Sequence, residues 1–387
     1  MSEHTASWRQ PARWLGWWRS DVSLRLALSY GLGAKLGLLL LLGLCTGLFP
    51  VSTERKPSIE KGLMMWDGNA FVLNAEEGYS LDPADGHVRN SALFPLYPLL
   101  GRYVAKVVGS TSLALLLIAN LASLGFLYYL HRLVRLDFGE AVAERALLLV
   151  LLYPVSFIYT CAYSESLSLL LGVASLYYMR TNRWGLAWVL AGAAGMTRVN
   201  ALVFGLAVLV EWLAQRRWRE RDWGYMAISA LLAAAYPLYL GWSFGKPLAF
   251  VTVQERWGHV QAWPWGSFWR SLVYAWEQSP RTYNFALNLF NLLMFVLAVG
   301  SLVAIWRRLR PSYAVLTAAL VFVATMLSSP SGIPMFAFLR YVMLAVPLFV
   351  MLAVWSERPW VRALLIWWWA PLLGIFASMF FCGFWIC

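Results

Sequence analysis

Apolar runs of about 20 residues recur along the whole chain, each long enough to cross a hydrocarbon core of roughly 30 Å as a helix. In lipid, only helices and closed barrels satisfy their own backbone hydrogen bonds. The runs are continuous rather than alternating, which excludes a barrel. Only 13% of the residues are charged and 60% are hydrophobic, whereas a soluble domain has roughly 25% charged residues. The chain therefore reads as an all-α polytopic membrane protein.

The net charge of +12 does not point to nucleic acid. The arginines fall in short clusters between the apolar runs, the expected cytoplasmic bias of Lys and Arg. These clusters place residues 1–23 inside as a cytoplasmic N-terminus, followed by a first helix over 24–49. That helix exceeds the apolar region of about 7–15 residues in a signal peptide and has no A-x-A site after it, so it reads as retained. Residues 51–92 form a first outer loop, with seven acidic residues against four Lys or Arg. Residues 93–108 are proline-interrupted and read as re-entrant or interfacial. Further spans follow over 112–129, 142–160 and 164–179, then two short helices within 185–214 with Met196-Thr197-Arg198-Val199-Asn200 at their outer turn. A span over 224–243 feeds a second outer loop, 244–284, and spans over 285–305, 312–328, 337–354 and 363–385 complete the set. The tally is about eleven (range about ten to thirteen), in one integral membrane domain with the C-terminus outside. An interfacial belt accounts for many of the 23 tryptophans, among them Trp14, Trp17, Trp18 and Trp367-Trp368-Trp369. The four cysteines lack metal-ligand spacing and imply no disulfide.

The candidates for chemistry gather on the outer side. Asp67 sits alone between Trp66 and Gly68. It is either a helix N-cap or a general base toward a hydroxyl on a lipid-linked substrate, a carboxylate being suited to that task when it reaches hydrogen-bonding distance. Glu76, Glu77 and Tyr79 read as a solvated face or as a sugar contact. Phe94-Pro95-Leu96-Tyr97-Pro98 is a rigid stretch, either a simple bend or one wall of a lipid-entry groove. Glu165 in Tyr163-Ser164-Glu165-Ser166 caps a helix, pairs with an arginine or binds a sugar hydroxyl. Arg198 and Arg340 stand inside strongly apolar sequence, GMTRVNALVF and FAFLRYVMLA. Either they snorkel to the outer interface, or, since an ionisable residue there is costly and signals function by default, their forks hold phosphate oxygens. In the second loop Gln254, Trp257 and His259 combine hydrogen bonding with a stacking face. His87 lies in a polar turn. No paired carboxylates accompany Asp67, so no metal site is expected, and no cofactor.

WDGNAF, EEGY, FPLYP, AYSES, the MTRVN turn, Q-x-x-W and LRYVM-x-x-x-P occur here in the order found in PIG-V-type mannosyltransferases, which the chain resembles over roughly residues 60–350. The resemblance implies a GT-C fold with its active site on the non-cytoplasmic face, a polyprenyl-phosphate mannose donor, inversion at the anomeric carbon, and a glycolipid or glycan acceptor. It makes Asp67 the catalytic base and matches Arg198 and Arg340 to outer-face arginines on the donor phosphate, with His259 and Tyr341 beside them. Trp66, Asn69, Glu77, Tyr97, Glu165, Gln254 and Trp257 become supporting or sugar-binding residues. Met65 stands where the family often has arginine. The location implied is a bacterial cytoplasmic (inner) membrane, with membrane lipids as partners and no nucleic acid. The rival from another class is a lipid or lipid-linked-sugar transporter, which predicts inverted repeats and polar residues at mid-membrane depth. No repeat is visible, and the polar candidates gather on one face. A ligase would carry one very large outer loop, and an acyltransferase a membrane histidine.

Overall fold

The computed structural model describes residues 21–48, 59–215, 220–263, 265–280, 282–329 and 332–386. Trp14, Trp17, Trp18, most of the cytoplasmic N-terminus and Cys387 lie outside the described residues.

Helices dominate. The elements are α1 (Val22–Leu48), α2 (Ile59–Leu63), α3 (Asp67–Glu76), α4 (Leu96–Val108), α5 (Thr111–Phe138), α6 (Glu140–Leu152), α7 (Glu165–Arg180), α8 (Trp184–Gly195) and α9 (Leu202–Ala214), then α10 (Glu220–Phe244), α11 (Ala249–Thr252), β1 (Val260–Gln261), α12 (Gly266–Glu277), α13 (Tyr283–Arg308), α14 (Pro311–Thr325), β2 (Leu327–Ser328), α15 (Phe338–Val342), α16 (Val346–Trp355) and α17 (Pro359–Phe381). Local chemistry sets many of the ends. The Ser110 hydroxyl accepts from the Leu113 N–H to start α5, and Thr282 does the same for α13 with Phe285. Gly109, at φ 78°, ends α4 in the left-handed conformation that only glycine adopts without strain.

Among the described residues, α1, α5, α10, α13 and α17 are long and apolar enough to cross a bilayer. Leu32, Leu36, Leu40, Leu44 and Leu48, four residues apart on α1, are each more than half exposed. Such a stripe belongs against lipid rather than water. α5 is the hub, packed by α1, α4, α6 and α7. α7 and α10 flank α8, and α14 lies against α9 and α13.

The remaining expected spans are shorter or broken, each for a local reason. The single helix expected over 142–160 ends at Leu152, because the residue before Pro154 is driven to extended geometry (Tyr153 φ −55°, ψ 132°). A 3-10 turn, Ser156–Tyr159, follows. Lys35, from the middle of α1, donates to the Tyr159 carbonyl at 3.0 Å and so satisfies backbone that the break leaves over. The span expected over 337–354 divides into α15 and α16, which restarts with Pro347 in its first turn. The proline-interrupted stretch is one helix, α4, that begins directly after Pro95 and tolerates Pro98 in its first turn. The second outer loop is not open loop: it holds α11, a 3-10 turn (Val253–Trp257), β1 and α12. β1 pairs antiparallel with β2, Val260 opposite Ser328. Trp367 to Trp369 sit in mid-helix, where successive residues point about 100° apart. Trp369 is accordingly buried against Tyr153 and Phe349 while its two neighbours are exposed.

Candidate functional site

Trp66 holds φ 56°, ψ −113°, a conformation normally left to glycine. Strain of this kind costs about 1–3 kcal/mol and persists only where the surroundings over-determine it. Here the surroundings are explicit. Tyr163 donates its hydroxyl to the Met65 carbonyl at 3.0 Å, and the Ala162 N–H donates to the Leu63 carbonyl at 3.0 Å. The turn between the 3-10 segment and α7 thus grips the chain on the N-terminal side of Asp67, which opens α3.

The Asp67 carboxylate meets Arg340 of α15, Oδ2 to Nη1 at 2.6 Å. Arg340 Nε also donates to Glu165 Oε1, and Arg198 Nη1 reaches the same oxygen at 2.6 Å and Ser164 Oγ at 3.3 Å. The Arg340 guanidinium lies over the Tyr163 ring, 4.7 Å from its centroid. Glu165 is fully buried and Arg340 nearly so, while about a third of the Asp67 side chain is open. Among the described residues, Arg198 Nε, Arg340 Nη2, Asn200 Nδ2 and Glu165 Oε2 are buried without a hydrogen-bond partner. Buried polar atoms are ordinarily paired, so the polar groups beneath this site are not all satisfied by the bundle itself.

Asp67, Arg198 and Arg340 floor a cavity of about 720 Å³, within the size range of small-molecule sites, with Glu165 beneath them. Asp67, Ala70 and Phe71 line it from α3, and Thr197 to Asn200 from the turn between α8 and α9. Gln254, Trp257 and His259 come from the second loop, and Ala337, Arg340 and Tyr341 from the α15 region. The short strand pair closes the far wall, bringing His259 against Phe336 with ring centroids 3.7 Å apart. Burial pushes the His259 imidazole down to about 4, so the ring is neutral. Its Nδ1 lies 3.0 Å from Gln254 Oε1. Donation from Nδ1 leaves Nε2 as an acceptor, which suits a hydroxyl better than the phosphate expected there. Among the described residues, no three His, Cys, Asp or Glu side chains cluster as a cation site requires.

Of the residues singled out in the sequence, Asp67, Trp66, Arg198, Gln254, Trp257, His259, Arg340 and Tyr341 meet in this one cavity. Four of the supporting or sugar-binding residues do not line it. Glu165 lies behind the two arginines, and of its three readings the arginine pair is the one observed. Tyr97 is buried, edge-on to Phe71 and donating to the Leu115 carbonyl at 2.8 Å, so it packs α3 onto α5. Asn69 and Glu77 are exposed outside the cavity. Asn90, Asn200, Tyr283, Asn284, Ser329 and Phe336 line it without having been singled out as site residues. Phe336 lies in the Pro/Gly/Ser-rich passage before Phe338, whose punctuation between two apolar runs was the available signal.

The fold and site together define an integral membrane protein with a charged cavity at one end of a helical bundle. Residues 40–218, somewhat under half of the chain, match the family described as mannosyltransferase (PIG-V), and that stretch carries Asp67, Glu165 and Arg198. Two solved structures are similar at 14% identity. One is ArnT from Cupriavidus metallidurans bound to undecaprenyl phosphate, with a TM-score of 0.48 covering 84% of this chain and 71% of that one. The other is an Archaeoglobus fulgidus oligosaccharyltransferase tethered with an acceptor peptide, with a TM-score of 0.43 covering 94% of this chain and 56% of that one. Neither likeness is close enough to speak for individual residues of this site. No curated protein sequence matches.

Proposed function

We propose that the protein is a GT-C-type inverting glycosyltransferase that moves a mannosyl residue from polyprenyl-phosphate mannose to a hydroxyl of a glycolipid or glycan, at the non-cytoplasmic membrane face. The observation that carries this reading is the meeting of one partly open carboxylate, Asp67, with two guanidiniums, Arg198 and Arg340, on the floor of a single cavity. The match of residues 40–218 to the mannosyltransferase (PIG-V) family supports the choice of a mannosyl group. The face is supported by charge: the lining residues fall in segments that positive-inside logic places outside, or at the ends of spans that adjoin those segments.

In this reading the donor phosphate binds across the arginines, Arg198 and Arg340, both of which line the cavity. Competition from the phosphate for Arg340 frees Asp67 Oδ2. The carboxylate then accepts the acceptor hydroxyl's proton as that oxygen bonds to the anomeric carbon. The bond from that carbon to the phosphate oxygen breaks with its electron pair, and polyprenyl phosphate leaves as an anion held by the arginines. Asp67 returns its proton to water through the open side of the cavity. His259, Gln254 and Trp257 hold sugar hydroxyls and a sugar face.

The test is transfer of radiolabelled mannose from polyprenyl-phosphate mannose to membrane lipids by the wild type and Asp67→Asn at matched folded amounts. Loss of a base predicts a fall on the order of 10²–10⁴. Equal transfer by both would remove Asp67 from the chemistry. Label in neither, alongside movement of labelled lipid between leaflets, would favour a transporter.

A further inference from the structure

α12 turns little of its apolar surface inward. Its inward positions are Ser267, Ser271 and Ala275, four residues apart, the two serines fully buried, with Phe268 stacked on Phe295. The Ser267 hydroxyl lies 2.9 Å from the carbonyls of both Thr325 and Leu327, and Asn288 Nδ2 donates to the Ser271 carbonyl at 2.9 Å. Its outward stripe, at spacings of four, three and four, is Trp265, Trp269, Leu272 and Trp276. Trp269 is 67% exposed and Trp276 91% exposed, with Trp263 just ahead of the helix at 86%. In water the outward stripe would be penalised, since surface helices turn polar residues outward and apolar ones to the core. Large indole rings with one polar N–H favour the headgroup level of a bilayer instead.

We infer that α12 lies in the outer membrane interface with its tryptophan stripe against lipid, so that the segment expected to be a solvent-exposed loop is a membrane-contacting element. The occupant follows from continuity. α12 packs on α13, a helix long and apolar enough to cross the bilayer. The exposed Leu289, Leu293 and Val296 of α13 already form a lipid-facing surface. The inference also sets the depth of the cavity wall. Ser267 ties α12 to both ends of the turn leading into β2, β2 pairs with β1, and β1 follows His259. A helix lodged among the headgroups therefore holds that wall where the polar head of a membrane lipid resides. The inference does not depend on the transferase reading, because it concerns what covers the helix.

The experiment is site-directed spin labelling of the full chain, with Cys45, Cys161, Cys382 and Cys387 replaced by serine, in phosphatidylcholine/phosphatidylglycerol vesicles. Labels go at Trp269→Cys and Trp276→Cys, with Leu40→Cys on the exposed face of α1 as the lipid reference and Glu76→Cys as the water reference. Both reference side chains are exposed, so labels at all four sites spare the core. Collision with oxygen at 269 and 276 shifted toward the Leu40 value, with a loss of collision with a water-soluble nickel chelate, is the expected result. Nickel collision at the Glu76 level would overturn the inference. Shielding from both reagents would overturn it too, since a protein partner would then cover the stripe.

Discussion

Two networks of the same composition, two acids and two arginines each, serve the cavity in different ways. The floor joins Asp67, Glu165, Arg198 and Arg340. The rim joins Asp82, Asp85, Arg89 and Arg256, where Arg256 bridges Asp82 at 3.0 Å and Asp85 at 3.1 Å, and Arg89 reaches Asp82 at 3.3 Å. The rim clamps the turn around Leu81 and Val88 to the segment carrying Gln254 and Trp257, helped by Lys246 donating to the Gly86 carbonyl at 2.6 Å. Its arginines are a third to a half exposed, whereas the Glu165 side chain at the floor is fully buried. Burial rather than charge count separates the two. Desolvated partners are costly to separate, while exposed ones exchange protein contacts for water with little change.

Breaking each network measures that difference. Glu165→Ala strands Arg198 and Arg340 without their shared carboxylate. Removing one partner from a buried pair costs about 3–5 kcal/mol, so thermal unfolding in detergent should show a large drop, partly restored by Glu165→Gln. A melting point equal to the wild type would mean that water reaches Glu165 and that the floor behaves as a second rim. Arg256→Ala, at the rim, should cost about 0–1 kcal/mol, and the wild type should lose the same increment in high salt. Its larger consequence is expected in catalysis: a released Gln254–His259 segment should raise KM more than it lowers kcat.

The pH response sharpens the contrast from a third position. His259 is held neutral by burial, with its pKa lowered from 6.5 to about 4. Between those values the unfolded chain binds a proton that the folded chain does not. The stability His259 contributes is thus fully present above about 6.5 and is lost as pH falls toward 4. The melting point of His259→Gln should therefore fall less steeply over that window than that of the wild type. Parallel curves would show that the ring is not desolvated in solution.

Single residues show how much of this was legible in the sequence. Arg198 and Arg340 stood out because an arginine in apolar sequence is expensive enough to need a reason, and both do reach the cavity. Glu165 was ambiguous because its decisive partner, Arg340, lies 175 positions away, and no local pattern encodes so distant a pair. Phe336 and Ser329 escaped notice as site residues for a similar reason: a two-residue strand pair carries them to His259. Tyr97 was open in another way. A tyrosine at a proline-rich bend fits a binding wall as well as a packing post, and only its hydrogen bond to Leu115 decides for packing. The breaks in the expected spans over 142–160 and 337–354 were written in Pro154 and Pro347, and apolar content alone overrode them.

The smallest change expected is also at the floor. Gly68 follows Asp67 on α3, yet it does not occupy the left-handed region. A Cβ built there would meet the Ala162 carbonyl oxygen at 3.7 Å and the Met64 Cβ at 3.7 Å, ordinary contact distances. The backbone therefore does not require glycine, and alanine improves helix propensity by up to about 1 kcal/mol at an interior position, less in a first turn. Gly68→Ala should fold at least as well as the wild type, read by the same melt. Mannosyl transfer then separates two uses of the position. Unchanged transfer would mean that the space over Gly68 is idle in the reaction. A loss of transfer in a fully stable Gly68→Ala protein would mean that a methyl group pressed between Met64 and Ala162 displaces the neighbouring Asp67 from the position the reaction needs.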